Sequence, residues 1–119
     1  MASVAKSVLI VDDHAPFRAV ARELLERAGY VVAGEAADAS EALAAADSTA
    51  PDVVLLDVQL PDRDGFAVAR ALEELGNAIV VLVSSREAED YGSKIETCGA
   101  RGFIPKSRLS AAAFAALVE

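Results

Sequence analysis

The stretch VVLLDVQLPDRDG, Val53 to Gly65, decides how the rest of the chain is read. It opens with four apolar residues, two of them β-branched, with no polar alternation. Such a run predicts a strand buried on both faces, as in a parallel sheet covered by helices on either side. The run ends directly in Asp57, and a turn with Pro61 and Gly65 follows. A carboxylate at the end of a buried strand costs several kcal/mol, roughly, unless it is paired. Asp57 is therefore the residue that needs a chemical reason.

Outward from this strand the apolar pattern changes period repeatedly. Val8 to Val11 is a short β-branched run, and Ala15 to Ala28 follows with helical spacing, with Gly29 where a helix-ending residue is expected. Tyr30 to Ala33 predicts a second strand, and Ser40 to Ala46 an Ala-rich helix ahead of Pro51 and Asp52. Asp64 is a natural N-cap for a helix from Gly65 or Phe66 to Leu75, closed by Gly76 and Asn77. Ile79 to Val83 is a fourth apolar run, and a polar helical segment over roughly Ala88 to Cys98 precedes Gly99. Gly102 to Ile104 predicts a short fifth strand, with Ser107 capping a last helix from Leu109 to Val118.

Strands separated by helices cannot pair as hairpins, so the sheet is expected to be parallel with right-handed crossovers. Five βα units predict a flavodoxin-like, doubly wound α/β fold with strand order 2-1-3-4-5 and helices on both faces. The chain of 119 residues is one domain of ordinary size, too short for an eight-stranded βα barrel.

Composition narrows the function classes. With 54% hydrophobic and 25% charged residues the chain is globular, and no apolar run is long enough to span a bilayer. The start MASVAKSVLIVDD is not read as a signal peptide. The single cysteine, Cys98, suits a cytoplasmic protein, and one Cys with one His cannot build a structural zinc site. A net charge of −8 argues against direct nucleic-acid binding by a basic surface.

The polar residues that follow the apolar strands then form a pattern. Asp12 and Asp13 end the first strand and Asp57 the third; Ser84 and Ser85 end the fourth, and Lys106 follows the fifth. All lie at the carboxyl ends of parallel strands, where open α/β sheets bind ligands. Three carboxylates in one crevice repel unless a cation joins them, and few oxygen ligands beside a turn suit Mg²⁺. A lysine and a hydroxyl opposite are phosphate-binding groups. Together they describe phosphoryl chemistry, in which positioning and charge neutralisation do most of the catalysis.

LIVDDH, VVLLDVQLPDRDG, VLVSS and GFIPKS, in this order and spacing, resemble the four signatures of the CheY-like receiver domain of bacterial response regulators. The resemblance implies that Asp57 accepts a phosphoryl group from a sensor histidine kinase. It implies that Asp13 binds Mg²⁺ directly, Asp12 through a metal-bound water, and Gln59 through its backbone carbonyl. Ser84 matches the switch hydroxyl, ahead of Ser85, and Lys106 the lysine that pairs with the phosphoryl group. Phe103 matches the aromatic switch residue, where Tyr is commoner. Ser107 stands where many receivers have proline, which makes a cis peptide there less secure, since a non-proline cis bond costs about 3 kcal/mol.

The segment ARGFIPKS and the last helix are similar to receivers of the NarL/LuxR type. Residues 1–119 are therefore expected to be one receiver domain excised from a longer transcriptional regulator, reaching DNA only through an output domain. Dimerisation, or release of that output, is the expected readout.

Other readings fit less well. An EF-hand around DRDG would place Leu60 and Ala71 at ligand positions. Asp62 and Asp64 are read as turn and cap residues. A haloacid dehalogenase-like phosphatase would need an acid where Gln59 stands. A degenerate receiver acting as a phosphate-independent interaction module keeps no explanation for the complete set of charged residues. His14 reads as a solvated cap at a helix start, since Mg²⁺ prefers oxygen. Cys98, Phe17, Phe66 and Phe114 read as core.

Overall fold

The computed structural model describes residues 5–76 and 78–119. It contains the expected doubly wound sheet. Strands β1 (Ser7–Val11), β2 (Val31–Ala36), β3 (Val53–Asp57), β4 (Ile79–Ser84) and β5 (Gly102–Pro105) pair in parallel in the order β2-β1-β3-β4-β5. Helices α1 (Ala15–Arg27), α2 (Ala39–Thr49), α3 (Gly65–Leu75), α4 (Lys94–Thr97) and α5 (Ala111–Val118) connect and cover them.

The continuous apolar strands are explained by two cores, one on each face. Within β3, Val54 and Leu56 join Leu9, Val11, Phe66 and Leu72 under α2 and α3. Val53 and Leu55 point the other way, to Val8, Ile10, Leu25, Phe114 and Val118 under α1 and α5. Every residue of β3 is buried, so no position on it is free to be polar except for a reason. Cys98 is buried in the first core, and Phe17 packs at the edge of the second.

Several boundaries differ from the sequence-based expectation. Strand β2 runs on to Ala36, because Glu35 and Ala36 pair with Ile10 and Val11. Gly34 and Glu35 hide that extension from any apolar pattern; Glu35 is held there by Arg18 at 3.0 Å and Arg22 at 2.7 Å. Its hydrogen bond from Arg22, helped by Arg18, keeps the Glu35 carboxyl below the usual range.

The helix expected over Ala88 to Cys98 is broken. A 3-10 turn at Ala88–Asp90 is followed by Gly92 in the left-handed region, φ 60°, and only four residues of α4. The last helix starts later than expected as well. Ser107 lies inside a 3-10 turn, Lys106–Arg108, and the cap is Ser110, which accepts from the Ala113 amide at 3.0 Å. Asp64 caps α3 as expected, accepting from the Phe66 amide at 2.8 Å. Gly76 follows α3, whereas the expected role of Asn77 lies outside the described residues.

Candidate functional site

The carboxyl ends of β1, β3 and β5 deliver Asp12, Asp57 and Lys106 to one crevice. Asp12 is fully buried and Asp57 nearly so, at 4% exposure. Lys106 Nζ reaches between them, 2.6 Å from Asp12 Oδ2 and 3.5 Å from Asp57 Oδ2. It also lies 4.6 Å from the centre of the Phe17 ring, on the first turn of α1, so Phe17 is a floor for the lysine as well as core.

The β1–α1 turn is held by backbone contacts. The Asp12 amide donates to the Ala36 carbonyl, and Asp12 Oδ1 accepts from the His14 amide at 2.8 Å. Arg18 Nη1 donates to the Asp12 carbonyl at 2.5 Å, tying the turn to the first helix. Asp13 turns outward beside His14, whose Nδ1 stands 3.1 Å from it. His14 is exposed and makes no side-chain cap.

On β3 the Gln59 amide donates to Asp57 Oδ1 at 3.1 Å, and Gln59 bridges to Asp64 across the turn. The turn is tight enough to require Gly65. A Cβ there would stand 2.5 Å from the Asp57 carbonyl oxygen and 2.6 Å from Val58 Cα, both backbone atoms that cannot yield. Asp62, read from sequence as a turn residue, reaches α2 and accepts from the Ala39 and Ser40 amides. The loop after Asp57 and the α2 start are thereby joined.

Burial pushes the Asp57 carboxyl up to about 6. The Gln59 amide opposes this, the Asp12 charge adds to it, and Lys106 partly offsets it. One oxygen of Asp12, Oδ2, is buried with no hydrogen bond, because Lys106 approaches it off the hydrogen-bonding direction despite the short distance. Asp12, Asp13, His14 and Asp57 each offer a ligand atom within 4.8 Å of the others. A buried Asp12 oxygen without a hydrogen bond, beside the carboxylates of Asp13 and Asp57, fits a hard cation such as Mg²⁺. The His14 nitrogen adds little to such a site.

Ser84 ends β4, one residue beyond Val83, which pairs with Asp57. It is fully buried, while Ser85 is exposed. Its hydroxyl bonds Tyr91 Oη at 2.6 Å and accepts from the Arg86 amide at 3.1 Å. Phe103 is half-buried, its ring 5.8 Å from that of Tyr91. All peptides among the described residues are trans, that between Lys106 and Ser107 included. Sequence reading had not singled out Tyr91 or Arg18. The signal for Tyr91 was there, a lone aromatic in a polar segment, but its partner is fixed only by the fold.

The response regulator receiver domain family matches residues 8–117, nearly the whole chain. The chain belongs to this family, and is thus a receiver domain of the two-component type. It is 33% identical over 105 residues to the transcriptional regulatory protein PdtaR of Mycobacterium tuberculosis, covering 88% of this chain and 51% of that protein. It is 32% identical over 102 residues to the chemotaxis protein CheY of Thermotoga maritima, covering 85% of each. A two-component response regulator of the LuxR family from Aurantimonas sp. superposes with a TM-score of 0.84 at 31% identity, covering 95% of this chain and 81% of that one. The chain spans about half the length of the transcriptional regulators it matches. No helix among the described residues is long and apolar enough to cross a membrane.

Proposed function

We propose that this receiver takes a phosphoryl group onto Asp57 from the phosphohistidine of a sensor kinase, with Mg²⁺ bound at Asp12, Asp13, Asp57 and the Gln59 carbonyl. The observation that carries the reading is the placing of Lys106 between two buried carboxylates on adjacent strands. An ammonium so placed can follow the negative charge when it moves onto a phosphoryl group. Mg²⁺, when bound, would neutralise the carboxylates and the incoming phosphoryl oxygens.

The chain's own residues do the rest. Asp57 ionises near neutral pH and attacks phosphorus with one carboxylate oxygen, while the phosphorus–nitrogen bond breaks and the imidazole leaves. The Gln59 amide holds the other oxygen and fixes the direction of attack. Lys106 pairs with a phosphoryl oxygen, the Ser84 hydroxyl moves to another, and Phe103 follows into the space left. The face of α4, β5 and α5 is thereby biased between two states. In this reading the chain is the receiver of a longer, cytoplasmic transcriptional regulator, whose output module it controls by dimerisation or release. The twofold greater length of the transcriptional regulators among the relatives supports that arrangement.

The test is intact mass after incubation with Mg²⁺ and acetyl phosphate, with Asp57→Asn alongside. One added phosphoryl group, labile to base and hydroxylamine, absent in the variant and prevented by EDTA, is the expected result. No gain with acetyl phosphate, with phosphorylated kinase or with beryllofluoride would leave an interaction module that works without phosphate.

A further inference from the structure

Tyr91 occupies a position that the reading above does not use. Its hydroxyl is 2.6 Å from Ser84 Oγ, which is fully buried. Its ring meets Phe66 edge-on at 5.3 Å on one side and Phe103 at 5.8 Å on the other. Phe66 belongs to the first turn of α3, just after the Asp57 loop, and Phe103 to β5. The tyrosine itself stands in the irregular segment between β4 and α4, after a 3-10 turn and just before Gly92 at φ 60°. Phe103 has no hydroxyl, so its side chain cannot report the position of Ser84 through a hydrogen bond.

We infer that Tyr91 is the positioning residue for Ser84: its hydroxyl holds the serine away from the phosphorylation site, and it is released when Ser84 turns to a phosphoryl oxygen. The inference rests on the reading of Asp57 as phosphoacceptor and names how that site is regulated. Ser84 Oγ already accepts from the Arg86 amide. Either hydroxyl can donate in the bond to Tyr91, and turning Ser84 Oγ to a phosphoryl oxygen breaks that bond in both cases. The two partners therefore compete. Losing its partner, Tyr91 must find water or move, and its ring is keyed between two aromatics. The segment from Ala88 to Thr97 is broken at Gly92 into a 3-10 turn and four residues of helix, neither with a buried residue, so few contacts oppose that movement. The signal thus leaves through the β4–α4 segment, with Phe103 responding to the tyrosine ring.

The test uses both tyrosines of the chain. Uniform 3-fluorotyrosine labelling gives two fluorine resonances, assigned with Tyr30→Phe. Tyr30 bonds Glu119 at the opposite end of the sheet and serves as the internal control. Addition of Mg²⁺ and beryllofluoride should shift the Tyr91 resonance and leave that of Tyr30 in place. In parallel, Tyr91→Phe keeps the ring and removes the competitor, so phosphorylation by acetyl phosphate should quicken about fivefold, the worth of one such hydrogen bond. The same substitution in a Ser84→Ala background should change nothing, which a purely structural role would not produce.

Mass spectrometry on the same samples separates the two ideas. Phosphoryl gain on Asp57 with a stationary Tyr91 signal, or with equal rates for wild type and Tyr91→Phe, overturns the role of Tyr91 and leaves Asp57 as acceptor. An equal change in both serine backgrounds overturns it too. If Asp57 takes neither phosphoryl group nor beryllofluoride, the phosphoacceptor reading falls and this inference falls with it.

Discussion

Lys106 Nζ stands 2.6 Å from Asp12 Oδ2, nearer than the 3.5 Å that separates it from Asp57. Before any phosphoryl group arrives, the lysine's first partner is therefore the acid of β1. This arrangement resolves an electrostatic problem created by the topology. Parallel pairing of β1 with β3 puts two buried carboxylates side by side, and each raises the cost of ionising the other. An ammonium from the far side of the sheet relieves both. In the proposed function it leaves Asp12 for a phosphoryl oxygen, and a divalent cation at the acids would release it.

Replacement of Lys106 by Met keeps the apolar stem of the side chain and removes the ammonium. Breaking a buried pair from one side leaves an uncompensated carboxylate, so Lys106→Met should lose about 3 kcal/mol in metal-free urea denaturation at pH 7.5. Millimolar Mg²⁺ should recover much of that loss by taking over the neutralisation of Asp12 and Asp57. Equal stability of variant and wild type without metal would show that Asp12 does not depend on the lysine.

The Asp57 carboxyl, pushed up to about 6 by burial, gives a second expectation with a definite sign. Between its unfolded value of 3.8 and about 6 the folded protein binds the extra proton. Its contribution to stability is thus fully present below the lower value and is lost as pH rises through the upper one. Asp57→Asn is neutral throughout and avoids the loss. The variant should match the wild type near pH 4 and exceed it by about 3 kcal/mol at pH 7.5 without metal, two pH units of linkage. Urea titrations across that range, with and without Mg²⁺, measure the gap; a gap independent of pH would mean that Asp57 is not the strained carboxylate.

The residues of this crevice were legible in the sequence because the topology brings them together. Each follows an apolar run, and parallel strands send every such residue to the same edge of the sheet. What stayed hidden depends on contacts between distant segments. Asp62 reads as a turn residue, yet its carboxylate caps α2 more than twenty residues earlier in the chain. Tyr91 lies in a polar stretch whose helical appearance is broken by Gly92, and its bond to Ser84 exists only once β4 is in place. The extension of β2 through Glu35 is likewise invisible without Arg18 and Arg22 on α1.

Gly65 is expected to tolerate no side chain. Its backbone amide donates to the Val58 carbonyl at 2.8 Å, and the Asp57 and Val58 backbones fill the space a Cβ would need. Gly65→Ala should therefore shift the loop that carries Asp57, costing about 3 kcal/mol as an overpacking substitution. Phosphorylation should fall with it, more than the loss of folded protein alone explains. Chemical denaturation and the initial rate with acetyl phosphate, measured on one preparation, separate the two effects.

Two serines near the last helix give a test of where that helix begins. Ser110 takes the Ala113 amide at 3.0 Å, satisfying one of the unpaired donors of the first turn, while Ser107 is exposed within the 3-10 turn after β5. Ser110→Ala should cost about 1 kcal/mol, the usual worth of an N-cap. Ser107→Ala should stay within about 0.5 kcal/mol of wild type. The 3-10 turn is the cause of the difference. It uses three residues to bring the chain from Lys106, fixed at Asp12, round to the face that α5 covers, so the helix cannot start where the first serine stands. A larger loss for Ser107→Ala than for Ser110→Ala in urea denaturation would place the helix start directly behind the lysine instead.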